Sequence, residues 1–273
     1  MPELPEVETV RRALALQMSG RRITAVRGRS VAMRRPLRIE QLEAVLPGRR
    51  LAEPRRRGKY LLLDLEPSGT VLCHLGMSGR LTLTNDAAPL LPHTHVRLVM
   101  DDGCELRFVD PRRFGLMVWL APGAEAEDPS LRALGLEPLE PGLESALPPL
   151  LKARRAPLKA LLLDQRLVAG IGNIYAAEAL WRAGLRPSRP GCSTALLRLE
   201  RLAREVRAVL VEAVEQGGTT IRDYATPEGN FGYFALRLAA YGRQGEPCRR
   251  CGAALRADVL GGRTTAWCPG CQR

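Results

Sequence analysis

Apolar positions in residues 6–18, EVETVRRALALQM, recur at Val7, Val10, Leu14 and Met18, one face of a helix. Acids lead this segment and Ser19-Gly20 is suited to end it. From residue 21 to 120 the pattern shortens. RRITAVRG, GKYLLLDLE, TVLCHLGMSGRLTLT, HVRLVMDDGCELRFVD and FGLMVWL are β-rich runs separated by Gly and Pro turns. Asp102-Gly103 lies between two of them and predicts a hairpin. Several short strands at this spacing predict a sandwich. Residues 121–150, rich in Pro, Gly, Glu and Asp, are expected to close one domain, form a linker and begin the next. From about 150 to 217 the period is helical, with Leu199, Leu202, Val206, Val209 and Ala213 as the inner stripe of a long helix stopped by Gly217-Gly218. Residues 218–235 are polar and contain Gly, so a loop is expected, and the remainder is a small Cys-rich module. There is no internal repeat.

The chain has 273 residues, 45% of them hydrophobic, enough for two globular domains with their own cores. No run of about 18 apolar residues is present, so no membrane span is expected. MPELPEVETV lacks the basic-then-apolar order of a secretory signal, and a cytoplasmic protein is expected. The net charge of +12 changes the picture more. Of 41 basic residues only Lys59, Lys152 and Lys159 are lysines, and guanidinium groups grip phosphate bidentately. The same surplus also fits a solvated Arg-rich surface. Aromatics are only 4%, which argues against a stacking platform for single strands.

Four of the seven cysteines form two pairs, Cys248-x-x-Cys251 and Cys268-x-x-Cys271, with 16 residues between the pairs. This spacing fits a tetrahedral zinc ribbon, and four thiolates leave the metal no open position, so one structural zinc is expected. Cys73, Cys104 and Cys192 are scattered and expected to pack rather than pair. The hairpin between the knuckles places Arg263 near its tip, either as a solvated turn residue or as a phosphate contact.

Pro2 follows the initiator Met, whose removal would leave a secondary amine as the N-terminus. An α-amino group titrates near about 7.7–8.0, so part of it is a free nucleophile at neutrality. Such an amine can attack a sugar carbon and pass to an iminium, with Glu3 beside it to move a proton. Read alone, a Met-Pro start followed by acids is equally an ordinary helix entry.

The motifs together are more specific. MPELPEVETVRR, GKY at 58–60, HLGMSGRL at 74–81, DPRRFG at 110–115, AGIGNIYAAEALWRAG at 169–184 and the Cys ribbon occur in one order. This resembles the bacterial formamidopyrimidine-DNA glycosylase family, and the resemblance spans essentially the whole chain. PELPEVE favours this branch over the PEGPE start typical of endonuclease VIII. The resemblance implies an α+β chain: an N-terminal β-sandwich flanked by helices, a helical helix-two-turn-helix domain and a four-cysteine zinc-finger hairpin. Expected bounds are 1–135 for the catalytic sandwich, 136–150 for a linker, 151–235 for the helical domain with its lesion loop, and 236–273 for the finger.

The resemblance further implies that a monomer acts on damaged double-stranded DNA in a cleft between domains, on the bacterial nucleoid, in base-excision repair. Pro2 would attack C1′ of the lesion nucleotide, with Glu3 opening the sugar ring and Glu6 in support. The resulting imine would favour β- and δ-elimination, so the glycosylase would also be an abasic-site lyase. With Pro2 as nucleophile, neither a redox cofactor nor a catalytic metal is needed. Lys59 matches a lysine near the lesion. Met77, Arg112 and Phe114 match residues that fill the void left by an extruded base, with Arg112 on the orphaned cytosine. Asn173, after Gly170-Ile171-Gly172, would bind phosphate together with Arg263. Thr219, Thr220, Ile221, Arg222, Asp223 and Tyr224 match the lesion-recognition loop. His93 and Arg243 are further candidate phosphate contacts.

Three departures bear on the carry-over. Pro92-His93-Thr94-His95 stands where Lys-His-x-His is common, Ala266 replaces an aromatic beside Trp267, and Asn230-Phe231 replaces a common Lys-Pro pair. They put in question a phosphate-side charge, the packing of the finger and the order of the loop. Two other readings stay open: a glycosylase of the same fold for oxidised pyrimidines, and a DNA-binding relative without enzymatic activity.

Overall fold

The computed structural model describes residues 2–85, 87–219 and 237–273. Two compact units divide the chain: 1–132 with 217–232, and 133–216 with 233–273.

In the first unit, helix α1 (Leu4–Met18) precedes strand β1 (Ile23–Gly28), helix α2 (Ile39–Val45), β2 (Arg50–Leu51), β3 (Arg55–Arg57), β4 (Tyr60–Glu66), β5 (Thr70–His74), β6 (Arg80–Asn85), β7 (Thr94–Met100), β8 (Cys104–Val109), β9 (Leu116–Leu120) and the short helix α3 (Pro129–Arg132). One antiparallel sheet runs β1-β7-β8-β6; the other runs β2-β4-β5-β9, with β3 paired to β4. Alternation sorts the faces. Leu61, Leu63 and Leu65 of β4 meet Val96, Leu98 and Met100 of β7 in one core, with Leu106 and Phe108 of β8. The predicted stripe of α1, Val7, Val10, Leu14 and Met18, closes this core. Asp102-Gly103 turns β7 into β8, as expected, with Gly103 at φ 82°.

In the second unit, α4 (Leu143–Lys152), α5 (Leu158–Leu163), α6 (Asn173–Ala183) and α7 (Leu196–Glu215) precede the hairpin β10 (Arg256–Leu260) and β11 (Arg263–Trp267). The predicted inner stripe of α7 is wholly buried. Helix α4 begins inside the stretch expected as linker. Leu143, Leu147 and Leu151, spaced one turn apart, are buried against α7, which outweighs the missing N–H groups of Pro148 and Pro149. No helix among the described residues is long and apolar enough to cross a membrane.

Candidate active site and phosphate-binding surface

The N-terminal turn of α1 is a buried knot of polar groups. Pro2 is buried, and Glu3 and Glu6 are 1% and 2% exposed. A capping box joins them: Glu6 Oε2 accepts the Glu3 N–H at 2.9 Å. The other oxygen, Oε1, accepts the N–H of Thr219 at 2.8 Å and its hydroxyl at 3.0 Å. Glycine is required next to this contact. At Gly218, φ is 84° and a Cβ would lie 2.8 Å from Glu6 Oε1. One carboxylate thus fastens the residue beside Pro2 to the head of the segment expected as the lesion loop. Thr220, Ile221, Arg222, Asp223, Tyr224, Asn230 and Phe231 lie outside the described residues.

Two residues beyond Glu6, Glu8 receives Arg11, Arg12 and Arg56 at 3.0–3.1 Å. Burial alone would raise its carboxyl; hydrogen bonds and charge from Arg11 and then Arg56 outweigh that and hold it below the usual carboxylate range. Arg56 also donates to the Gly58 carbonyl at 3.0 Å. Arg57 pairs with Tyr60 across a two-residue turn, with Gly58 at φ 57° in its first position. Lys59 occupies the tip of that hairpin, half-buried, and the Glu8–Arg56 pair ties the hairpin to α1.

Met77, Arg112 and Phe114 are brought together, all exposed. The guanidinium of Arg112 lies 5.0 Å from the centre of the Phe114 ring. Two loops carry them, and backbone contact locks the loops: a Cβ at Gly76 would sit 2.4 Å from the Phe114 carbonyl carbon. The fully buried Asp110 organises both. Its Oδ1 accepts the Ser78 hydroxyl at 3.0 Å and the Arg112 N–H at 3.3 Å; its Oδ2 accepts the Gly115 N–H at 2.8 Å. His74 completes the base of the Met77 turn, its Nδ1 accepting the Gly76 N–H at 2.9 Å. Burial first, then the charges of Arg34 and Lys59, push His74 down to about 3, so it is neutral at physiological pH. Of the two histidines in the departing segment, His93 is exposed at φ 66°, whereas His95 is buried and its Nε2 lies 2.9 Å from the Asp110 carbonyl. Burial raises the Cys73 thiol, consistent with a packing role.

In the second unit, Gly170 at φ 85° and the extended Gly172 turn the chain into α6, with Asn173 as its first residue. Gln165 stitches the turn, accepting the Gly170 N–H and donating to the Ile171 carbonyl, each at 2.9 Å. Asn173 Nδ2 donates to the Thr264 carbonyl at 3.3 Å, next to Arg263, while its Oδ1 is buried without a partner among the described residues. Arg263 itself is exposed, just beyond the Gly261-Gly262 turn at φ 58° and 71°. The helix start and the hairpin expected to bind phosphate are therefore held side by side. Arg243 is placed differently. Its guanidinium is engaged by Glu246 at 2.7 Å and by the carbonyls of Ala239 and Pro247, which anchor it inside the finger.

The sulfurs of Cys248, Cys251, Cys268 and Cys271 all lie within 4.8 Å of one another. At a zinc–sulfur bond of about 2.3 Å, tetrahedral geometry puts sulfurs roughly 3.8 Å apart, so these four fit the ion. Ala266 is buried, and the register Arg256↔Trp267 to Leu260↔Arg263 is unbroken, so the missing aromatic leaves the ribbon intact.

The sequence did not single out Asp110 or Glu178. Glu178, 1% exposed on α6, accepts the N–H groups of Ala239, Ala240 and Tyr241 at 2.8–2.9 Å and fixes the entry to the finger. An acid inside an otherwise apolar helical run was the available signal.

Family models match three consecutive parts of the chain: the formamidopyrimidine-DNA glycosylase N-terminal domain over residues 1–117, its H2TH domain over 134–225, and a zinc finger found in FPG and IleRS over 245–273. The formamidopyrimidine-DNA glycosylases of Methylococcus capsulatus and Acidithiobacillus ferrooxidans are 47% and 48% identical, each over 100% of both chains. The Fpg (MutM) crystal structure from Thermus thermophilus has a TM-score of 0.87 at 43% identity, covering 99% of this chain and 98% of that one. A Lactococcus lactis Fpg in complex with DNA containing an abasic site has a TM-score of 0.90 at 31% identity over 99% of both chains. This chain belongs to the formamidopyrimidine-DNA glycosylase family.

Proposed function

We propose that this protein is a base-excision-repair glycosylase that removes oxidised purines, 8-oxoguanine and formamidopyrimidines, from duplex DNA, and that its terminal amine then drives strand cleavage. Relatives of the same family are seen bound to DNA containing a Fapy-dG lesion and to DNA containing an abasic site. The observation that carries the reading is the Glu6 junction, which fastens the turn beside Pro2 to Thr219 at 2.8 Å.

Removal of the initiator residue frees the Pro2 nitrogen. An α-amino group titrates near about 7.7–8.0, so part of it is a free nucleophile at neutrality. It attacks C1′ of the lesion nucleotide; the N–C1′ bond forms as the glycosidic bond breaks and the base departs with its electron pair. Glu3 delivers a proton to the ring oxygen, opening the sugar and leaving an iminium. Loss of a C2′ proton beside that iminium expels the 3′ phosphate, and loss of a C4′ proton from the conjugated iminium that results expels the 5′ phosphate, which is lyase chemistry. Met77 and Phe114 fill the gap in the stack, and Arg112 hydrogen-bonds the orphaned base. Asn173 and Arg263 hold phosphates, Lys59 approaches the lesion nucleotide, and His93 adds a phosphate contact. The chain works as a monomer in the cytoplasm, with zinc serving the fold of the finger.

Duplexes carrying 8-oxoguanine or thymine glycol, each opposite cytosine or adenine, test the substrate class. Faster cutting of the 8-oxoguanine duplex opposite cytosine is expected. Equal or faster cutting of thymine glycol would assign the chain to oxidised pyrimidines, and no cutting of either would leave a binding protein.

A further inference from the structure

A concavity of about 540 Å³ in the second unit is lined by Arg186, Arg189, Arg256 and Arg273, with Ser188 and Trp267 among its walls. No acidic side chain lies within 4 Å of these four guanidinium groups among the described residues, whereas Arg182, Arg207 and Arg243 of the same unit all have one. Two buried donors here have no partner among the described residues: Nε1 of Trp267, a residue 4% exposed, and Nε of Arg189, whose Nη2 donates to the Ser193 carbonyl at 3.2 Å. A buried N–H without an acceptor costs about 1–3 kcal/mol, so either donor gains by meeting an oxyanion. The guanidinium of Arg186 lies over the Trp267 ring at 4.5 Å, which covers the ring against base stacking while leaving its N–H lateral. Positive charge is concentrated enough to be felt nearby: burial, then Arg189 and Arg201, lower the affinity of Arg198 for its proton.

We propose that this concavity is a second phosphate site, which takes a backbone phosphodiester of DNA apart from the one gripped by Asn173 and Arg263. Four arginines around one concavity, with the aromatic face covered by a guanidinium, favour an oxyanion over a base. The site lies at the far end of the elements that carry the first. Asn173 begins α6 and Arg186 follows its end, and 11 helical residues span roughly 16 Å. Arg263 begins β11 and Trp267 ends it. At about 3.4 Å of duplex axis per base pair, the second phosphate lies several base pairs from the first, or on another duplex. The site would then lengthen the footprint on undamaged DNA without touching the excision chemistry.

The test uses the full zinc-loaded chain with Arg256→Glu and, separately, the double variant Arg186→Gln/Arg256→Gln. These arginines are exposed surface residues, and thermal unfolding checks that both variants are folded. Affinity for a long undamaged duplex is measured across salt concentrations, and inorganic phosphate is titrated as the small probe. The slope of log K against log salt is expected to become shallower by about 0.9 for each DNA phosphate the variant no longer neutralises. Weak binding of inorganic phosphate should disappear with it, while cutting of a short lesion duplex stays within two-fold. An unchanged slope in both variants would overturn the proposal. Loss of phosphate binding with an unchanged DNA slope would assign the site to a free anion and overturn the DNA contact. Because the slope is read on undamaged DNA, it stands or falls separately from the excision reading.

Discussion

Replacing Glu6 by Gln keeps the shape of the side chain and removes one acceptor. The carboxylate serves Glu3 N–H through one oxygen and the Thr219 N–H and hydroxyl through the other. An amide has only one oxygen. If it faces Thr219, its NH2 meets the Glu3 N–H; if it faces Glu3, its NH2 meets the Thr219 N–H. Either way one buried backbone donor is left without an acceptor, at about 1–3 kcal/mol, and the remaining bonds lose the extra strength of a charged acceptor. We expect a total cost of about 2–4 kcal/mol, read as a lower midpoint in urea at unchanged slope. A unit of this size would lose on the order of 5–10 °C in Tm. Turnover of an 8-oxoguanine duplex should fall further than stability accounts for, since the same bonds locate Glu3, beside the proposed nucleophile, and Thr219. A shift below about 0.5 kcal/mol with full turnover would refute the reasoning.

Three more outcomes follow from the same geometry. His74 stays neutral when folded down to about 3, but titrates near about 6.5 when unfolded, so below that value the unfolded state binds the extra proton. Stability is therefore lost as pH falls from about 6.5 towards 3, by about 2 kcal/mol at pH 5; denaturation of the parent and of His74→Gln should differ by that slope, and parallel curves would contradict it. Asp110→Ala leaves the Ser78, Arg112 and Gly115 donors without their acceptor and should cost on the order of 3 kcal/mol while blunting the preference for cytosine over adenine opposite the lesion, measured as the ratio of cutting rates. Stripping zinc, or Cys268→Ser, should leave β10 and β11 unprotected in amide exchange and reduce DNA affinity, because on the order of 10 kcal/mol of the finger's folding comes from the ion; a protected hairpin without metal would contradict this.

What could be read from the sequence follows from how local the signal is. The stripe Val7, Val10, Leu14 and Met18 is a period, and all four are buried. The Cys spacing is a ligand set, and the four sulfurs converge. Gly217-Gly218 read as a helix stop, but its second function was hidden, because the atom that crowds Gly218 belongs to Glu6 on a distant segment. The partners of Glu178 and Asp110 were hidden for the same reason, although an acid in the apolar run of α6 marked Glu178. Each is an acid whose partners are backbone N–H groups brought in by folding, and backbone donors leave no mark in a sequence. The Pro148-Pro149 pair read as a linker because local propensity was weighed without the apolar stripe that overrides it. The candidate roles of Pro2, Arg112 and Asn173 came from the family motif and not from periodicity; alone, Pro2 read as a helix entry.

The account rests on the nitrogen of Pro2 as the attacking group. Borohydride reduction during reaction with an 8-oxoguanine duplex, followed by proteolysis and mass mapping, addresses it directly. The account predicts one covalent adduct, with the sugar carbon on the N-terminal nitrogen of a chain that begins at Pro2. An adduct on Lys59 or another amine, or none from an active preparation, would contradict it.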